Sequence, residues 1–152
     1  MDRNQEIKTV IEEIISRMNI RVQVEETDLM GSPCFQLKTL DGGMLIGENG
    51  QNLFAIYSIV RRIMEHRHPE DTTPFLIDIN DYQRKRIEEI KERARMSAQR
   101  VRYFKKEVVM QPMSAYERRI IHMALAEDPD VKTESVGEGE TRRIVIKPAE
   151  TQ

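Results

Sequence analysis

The sequence contains few of the residues that build disulfide-linked or repetitive proteins. Among its 152 residues there is one cysteine, Cys34, no tryptophan, and only seven glycines and six prolines. A single cysteine cannot form an internal disulfide, and glycine and proline are too few for collagen or a low-complexity chain. With 39% apolar and 33% charged residues, the composition is that of a globular protein in a reducing compartment.

Long apolar segments are also missing. The longest dense apolar stretch, residues 53–60, is far shorter than the roughly 20 residues that cross a bilayer. The first six residues are polar and acidic, without the basic start and apolar stretch of a signal peptide. We therefore predict a cytoplasmic protein that does not insert into membranes.

Motifs of common enzymes and cofactor sites are likewise missing. The chain contains no phosphate-binding P-loop, no dinucleotide-binding fingerprint and no nucleophile elbow. His66 and His68 precede acidic residues at the end of a predicted helix, which is more typical of a solvated helix end than of a metal site. We predict no catalytic activity, no cofactor and no bound metal.

Charge is unevenly distributed along the chain, although the net charge is only −2. Residues 1–80 carry 8 basic and 13 acidic side chains, whereas residues 81–107 carry 10 basic and 5 acidic ones. Residues 108–152 carry 6 basic and 8 acidic side chains. A basic segment in an otherwise acidic protein indicates a polyanionic partner such as a nucleic acid.

Hydrophobic periodicity predicts six elements in the first half of the chain. Apolar residues spaced by three and four positions predict a helix over residues 3–18 and another that ends at Arg67. Alternating apolar and polar residues predict strands over residues 20–25, 34–40 and 75–79, with a short helix before the second long one. The predicted order is helix, strand, strand, short helix, helix, strand.

The second half begins with a long basic helix over residues 81–107. A short strand follows, and then a helix at whose start Ser114 and Glu117 have the spacing of a capping box. Residues 131–136 and 142–147 flank a glycine-rich turn and predict a hairpin with a loop of four or five residues. The predicted order is helix, strand, helix, hairpin.

A glycine turn lies between the short helix and the second long helix of the first half. Gly47 and Gly50 enclose Glu48 and Asn49 in the pattern G-x-x-G, within the longer frame G-x-x-I-G-x-x-G-x-x-L. Glycine permits the backbone angles of a tight turn, and it lets that turn approach a sugar-phosphate backbone beside the amides that start the next helix. An isolated G-x-x-G more often forms only a helix-to-helix turn.

The order of elements and the frame around the glycines resemble the bacterial, type II form of the KH domain. The resemblance implies that residues 1–80 form a KH domain and that residues 47–50 bind single-stranded nucleic acid. RNA-binding loops of this family usually carry a basic residue between the glycines, whereas Glu48 repels phosphate. Binding would then rely on backbone amides and on basic groups elsewhere, such as Arg61 and Arg62.

A second motif lies in the capped helix of the second half. Arg118 and His122 are four residues apart and so lie on one face of a helix, and Arg119 adds a second cation. This spacing alone is common on solvated helices. With the cap before it and the hairpin after it, the motif resembles the R3H domain, which binds single-stranded DNA or RNA around its arginine and histidine. Arg142 and Arg143 are adjacent in a predicted strand, so at most one of them is expected to join that surface.

A KH domain followed by an R3H domain resembles the Jag (SpoIIIJ-associated) family of bacterial RNA-binding proteins. We expect an α+β protein with a KH domain over residues 1–80 and a small α+β R3H domain over residues 81–149, without the N-terminal Jag domain of many members. The resemblance implies a regulatory protein that binds single-stranded RNA, with single-stranded DNA left open because the 2′-hydroxyl contact has no sequence signature. The acidic loop leaves an alternative, a protein-interaction or scaffold module that forms a homodimer or binds a protein partner.

Overall fold

Residues 1–150 are described in the computed structural model, and they divide into two compact units. The first unit comprises Met1–Arg84, and the second begins at Lys85, inside the long basic helix. Among the helices of residues 1–150, none is both long enough and apolar enough to cross a membrane.

The first unit contains three helices and three strands in the predicted order. These are α1 (Arg3–Arg17), β1 (Gln23–Leu29), β2 (Ser32–Lys38), α2 (Gly42–Ile46), α3 (Gln51–Arg67) and β3 (Leu76–Ile79). Helix α1 starts with a complete capping box, in which the side chains of Asp2 and Gln5 each accept a bond from the other's backbone N–H. The glycine turn, residues 47–50, joins α2 to α3.

The sheet of the first unit has the order β1-β2-β3, with β2 antiparallel to β1 and parallel to β3. The apolar stripes of α1 and α3 share one core with the strands. This is the α+β arrangement expected for a type II KH domain, so the predicted fold class is confirmed. The buried core includes Ile7, Ile11, Ile15, Phe35, Leu37, Val60, Ile77 and Ile79.

The first two strands of the first unit are offset from their predicted ranges, β1 by three to four residues toward the C-terminus and β2 by two toward the N-terminus. Strand β1 starts three residues later than predicted, because Asn19 turns the chain with φ of 58° and Ile20 is buried before the paired segment begins. Strand β2 ends two residues earlier than predicted, because the backbone N–H and carbonyl groups of Thr39 form hydrogen bonds with the side chain of Asn80 instead of with a neighbouring strand. Asn80 accepts a hydrogen bond from the Thr39 N–H (3.1 Å) and donates one to the Thr39 carbonyl oxygen (2.9 Å).

The second unit follows the predicted order of helix, strand, helix and hairpin. Its elements are α4 (Tyr82–Phe104), whose first three residues belong to the first unit, β4 (Val108–Val109), α5 (Ala115–Leu125), β5 (Val131–Val136) and β6 (Arg143–Pro148). The strands form an antiparallel sheet in the order β4-β6-β5. The buried apolar side chains of this unit include Ile87, Ile90, Ala94, Ala98, Val101, Ile120, Ile121, Leu125, Ile144 and Ile146.

Local details of the second unit also differ from the prediction, and α4 ends at Phe104 rather than at residue 107. The loop between β5 and β6 spans residues 137–142, longer than predicted, because a 3-10 turn at Gly139–Thr141 is inserted in it. The Ser114 hydroxyl accepts a hydrogen bond from the Glu117 N–H (3.2 Å), as the capping box requires. The Glu117 carboxylate, however, lies 3.7 Å from the guanidinium of Arg86, so it connects α5 to α4.

Candidate nucleic-acid interfaces

The glycine turn between α2 and α3 has a compact, left-handed backbone. Gly47 and Gly50 have φ angles of 75° and 78°, and Asn49 between them has φ of 54°. The side-chain amide of Asn52 donates to the carbonyl oxygen of Met44 (2.8 Å). This bond ties the first turn of α3 to α2, so the turn presents its backbone in a defined shape.

Both glycines of the turn are required by its own packing. A Cβ atom on Gly47 would lie 2.6 Å from Cγ of Asn52, and one on Gly50 would lie 3.0 Å from the ring of Tyr82. The positive φ angles add a second reason, because residues with a Cβ rarely adopt them. The sequence interpretation assigned the glycines to turn geometry and ligand approach, and the contact with Tyr82 is a further reason that it missed.

The N-terminus of α3 is suited to an anion. Its N-cap residue is Gly50, and among residues 1–150 no side-chain hydrogen bond caps this end of the helix. Backbone N–H groups of the first turn and the positive end of the helix dipole attract phosphate at such a terminus. Glu48 and Asn49 are exposed in the same turn, and the Glu48 carboxylate opposes that attraction.

The two arginines proposed to assist the turn lie far along α3. Arg61 and Arg62 are exposed, about 17 Å along the helix axis from its start at 1.5 Å per residue. Arg61 Nε donates to Glu65 Oε1 (2.8 Å), and this hydrogen bond raises the pKa of Arg61. The structure therefore places these cations more than two helical turns away from the glycines.

The motif residues of α5 are connected to the rest of the second unit. His122 Nδ1 lies 2.6 Å from Thr133 Oγ1, and His122 Nε2 lies 3.1 Å from Ser135 Oγ, both on β5. Arg118 donates from Nη1 to the carbonyl oxygen of Met113 (3.0 Å), just before the helix. Both motif side chains are half-buried.

The environment of His122 disfavours its charged form. Partial burial, and after it the positive charge of Arg118, lowers the pKa of His122 below the ordinary value of 6.5. The imidazole is therefore neutral at neutral pH, with one nitrogen donating and the other accepting, and the hydroxyls of Thr133 and Ser135 can satisfy either tautomer. The cationic part of this face is the guanidinium of Arg118, with His122 as a polar neighbour.

The structure separates the other arginines that the sequence analysis singled out. Arg119 is exposed and lies about 100° around the axis of α5 from Arg118. Arg142 donates from Nη1 to a carbonyl oxygen of the hairpin loop (2.7 Å). Arg143 lies on the face of the sheet opposite to Ser135, the partner of His122. Arg118 and His122 thus share a surface to which Arg143 does not belong.

The histidines at the end of α3 take different positions. His66 is exposed, whereas His68 Nε2 lies 2.7 Å from Glu6 Oε2 on α1. Arg67 Nη1 donates to the other carboxylate oxygen of Glu6 (3.2 Å). Both contacts lower the pKa of Glu6, and the contact with His68 has the larger effect. The cluster is an ion pair that joins α1 to α3.

Two comparisons with known proteins agree with this architecture. A model of the R3H domain matches residues 85–148. The chain is 33% identical over 138 residues to a protein named RNA-binding protein KhpB from Clostridium symbiosum, a match that covers 90% of this chain and 62% of that protein. It is 30% identical over 142 residues to the protein of that name from Bacillus subtilis, covering 92% and 66%. These matches support the resemblance to the Jag family.

The chain spans less than two thirds of the length of these Jag-family relatives. A further relative, RNA-binding protein KhpB from Streptococcus pneumoniae serotype 2, is 27% identical over 141 residues, covering 93% of this chain and 43% of that protein. The resemblance inferred from the two motifs is confirmed. The R3H match falls within the second unit, and the first unit has the α+β arrangement expected of a KH domain.

Sequence reasoning missed several residues that shape the surfaces around the glycine turn and around Arg118. Tyr82 packs against the glycine turn, and the buried carboxylate of Asp78 accepts hydrogen bonds from three backbone N–H groups around the start of α4. The position of Asp78 near the end of an apolar strand, shortly before a helix, was the sequence signal that could have indicated these hydrogen bonds. Thr133 and Ser135 carried no local signal, because their role depends on contact with a helix eleven or more residues earlier.

Proposed function

We propose that this chain binds single-stranded RNA and that it acts by binding, without catalysing a reaction. The observation that carries the proposal is the presence in one chain of an R3H domain and of a KH-fold unit whose α3 N-terminus is open to phosphate. The relatives' name, RNA-binding protein, supports RNA as the class of ligand. In this proposal residues 1–80 act as the KH domain and residues 81–149 as the R3H domain.

The phosphate contacts come from three parts of the chain. Backbone N–H groups at the glycine turn receive phosphate in the first unit. In the second unit Arg118 and Arg119 supply cations, and neutral His122 holds α5 against β5 beside Arg118. The third part is α4. Of its cations in the described residues, Lys85, Arg93 and Arg100 form no ion pair and are exposed.

Binding of this kind is largely electrostatic. Phosphate contacts fix position and carry little sequence information, so we expect modest sequence selectivity. Each phosphate contact on a single strand contributes about 0.7 to the slope of log affinity against log salt concentration. The number of phosphate contacts is therefore accessible to measurement.

The substitution Arg119→Ala tests the R3H part of this proposal, because the side chain is exposed and its loss spares the core. Loss of one phosphate contact lowers the affinity for single-stranded RNA by about fivefold at about 0.1 M salt and reduces the salt slope by about 0.7. The matched control is Arg17→Ala, which removes an exposed arginine from the last turn of α1. Equal losses in the two variants would show that only net charge matters and would contradict the assignment.

A second candidate function is favoured by exposed apolar side chains in the first unit. Leu40, Met44, Phe54 and Ile59 each expose more than half of their surface on α2, on α3 or just before them. Together with the repulsive carboxylate of Glu48, they favour a protein-interaction or scaffold module that forms a homodimer or binds another protein. Sedimentation of the protein alone tests this candidate. Self-association that Phe54→Glu abolishes, without any RNA binding at low salt, would select it over the first proposal.

A further inference from the structure

An aromatic pair is exposed at the end of α4. Tyr103 is 81% exposed and Phe104 is 63% exposed. Their ring centroids are 4.8 Å apart and their planes meet at 80°, so the edge of one ring contacts the other. This contact holds the two rings in a defined geometry while the remaining ring faces stay open to solvent. Side chains this exposed contribute little to the core of the R3H domain.

Cations without an ion-pair partner in residues 1–150 flank the aromatic pair along the chain. Arg100 lies one turn before Tyr103 on the same side of α4, and Lys105 and Lys106 follow the pair directly. All three are exposed, and none forms an ion pair within residues 1–150. Aromatic faces beside unpaired cations match the two parts of a nucleic-acid strand, because bases stack on the rings and phosphates attract the cations.

Lys105, one of these cations, has an unfavourable backbone conformation at the end of α4. Lys105 ends the helix with φ of 56°, and its N–H donates to the carbonyl oxygen of Val101 (2.9 Å). Glycine is the usual residue at this position, because it adopts the left-handed conformation without strain. A lysine here accepts that strain, and its side chain adds positive charge both to the end of the helix dipole and to the aromatic pair.

We infer that Tyr103 and Phe104 form a stacking site for one or two unpaired bases of single-stranded RNA. Arg100, Lys105 and Lys106 contact the phosphates that flank those bases. The inference rests on the proposed function, since a stacked base requires a bound strand. The other proposed contacts are made to phosphates, whereas this site at the end of α4 contacts bases.

The double substitution of Tyr103→Ala and Phe104→Ala tests the site. Stacking on an aromatic side chain contributes roughly fivefold to a hundredfold in affinity per base, so the dissociation constant for labelled single-stranded RNA is expected to rise at least about fivefold. The salt slope stays unchanged, because no phosphate contact is removed. The control Met18→Ala, which removes an exposed apolar side chain from the first unit, leaves the affinity unchanged. Circular dichroism checks that each variant is folded.

The chain contains no tryptophan, which allows a second measurement on a nearly intact site. The substitution Tyr103→Trp introduces one indole into the site and keeps an aromatic ring there. We expect single-stranded RNA to quench its fluorescence and an abasic strand of the same length to leave it unchanged, because only bases stack. The control Met18→Trp reports any general effect of RNA on an exposed indole.

The two proposals fail in different ways. If wild-type protein binds single-stranded RNA while the double variant binds equally well, or while RNA leaves the indole at position 103 unquenched, the stacking site is overturned and the proposed function stands. If wild-type protein does not bind single-stranded RNA even at low salt, both proposals fail.

Discussion

His122 Nδ1 lies 2.6 Å from the hydroxyl oxygen of Thr133, so the histidine of the R3H motif is part of the contact between α5 and β5. The second ring nitrogen is engaged by another hydroxyl of the same strand. Burial in this contact is the main cause of the lowered pKa of His122. The motif histidine therefore supports the structure of the domain, while the motif arginine supplies the charge.

Stability is expected to depend on the protonation of His122. Because the pKa of His122 is lower in the folded state than the ordinary 6.5, the unfolded chain takes up the proton first as the pH falls. The stabilisation from neutral His122 is complete above about pH 6.5 and is lost as the pH falls from there through the folded pKa. Urea unfolding of wild-type protein and His122→Gln measures this contribution.

The difference in unfolding free energy between wild type and His122→Gln should be larger at about pH 7.5 than at about pH 5.5. Comparison with the variant removes the effects of other groups whose pKa is shifted, such as Glu6. A difference that stays constant would show that folding does not shift the pKa of His122, and one that grows as the pH falls would show that the environment of His122 favours its charged form. Either result would contradict this prediction.

Reversing the charge of Glu48 is expected to strengthen RNA binding. The substitution Glu48→Lys removes a repulsive carboxylate beside the N-terminus of α3 and supplies a cation at an exposed position. One added phosphate contact raises the affinity about fivefold at about 0.1 M salt. The control Glu12→Lys makes the same change of charge on the exposed face of α1. Anisotropy titrations that show equal gains for both variants would exclude a specific role of the glycine turn.

Substitution of Gly50 is expected to destabilise the KH fold itself. The variant Gly50→Ala places a Cβ at a left-handed position, at a cost of about 1–2 kcal/mol, and 3.0 Å from the ring of Tyr82. The control Gly43→Ala adds a Cβ in open space within α2 and should be neutral or stabilising by up to about 1 kcal/mol. Chemical denaturation measures both variants, and an unchanged stability of Gly50→Ala would contradict the packing argument.

Much of the fold could be predicted from the sequence, because local periodicity reports local structure. The stripes of α1, α3 and α4 follow apolar residues at helical spacing, and the glycine frame locates the turn between α2 and α3. The end of β2 was predicted wrongly because it depends on a contact between distant residues. The side chain of Asn80 ends β2 by forming hydrogen bonds with the backbone of Thr39. No sequence pattern near Thr39 indicates a partner 41 positions away.

The candidate site was predictable only in part, for the same reason. The motif letters name Gly47, Gly50, Arg118 and His122, but periodicity does not reveal that Tyr82 packs against Gly50 or that both nitrogens of His122 are occupied. The charge state of His122 depends on its burial, which can be inferred only indirectly from the sequence. The neutral state of His122 could therefore not be predicted from the motif.

Removal of the buried carboxylate of Asp78 is expected to loosen the start of α4. Its oxygens accept hydrogen bonds from the N–H groups of Ile79 (2.8 Å), Gln83 (2.7 Å) and Arg84 (3.2 Å). The variant Asp78→Ala leaves these donors without that acceptor and should lower the unfolding free energy by at least about 2 kcal/mol. The control Glu89→Ala, at an exposed position of α4, should change it by less than about 0.5 kcal/mol. Comparable thermal stability of the two variants would contradict this role.

The most direct test of RNA binding is a fluorescence anisotropy titration of labelled single-stranded RNA with wild-type protein over a series of salt concentrations. Duplex RNA and single-stranded DNA of matched length serve as comparisons. We predict tighter binding to the single strand than to the duplex, with a log-log salt slope that corresponds to several phosphate contacts at about 0.7 each. No detectable binding to single-stranded RNA at about 50 mM salt would contradict the proposal and direct attention to a protein partner.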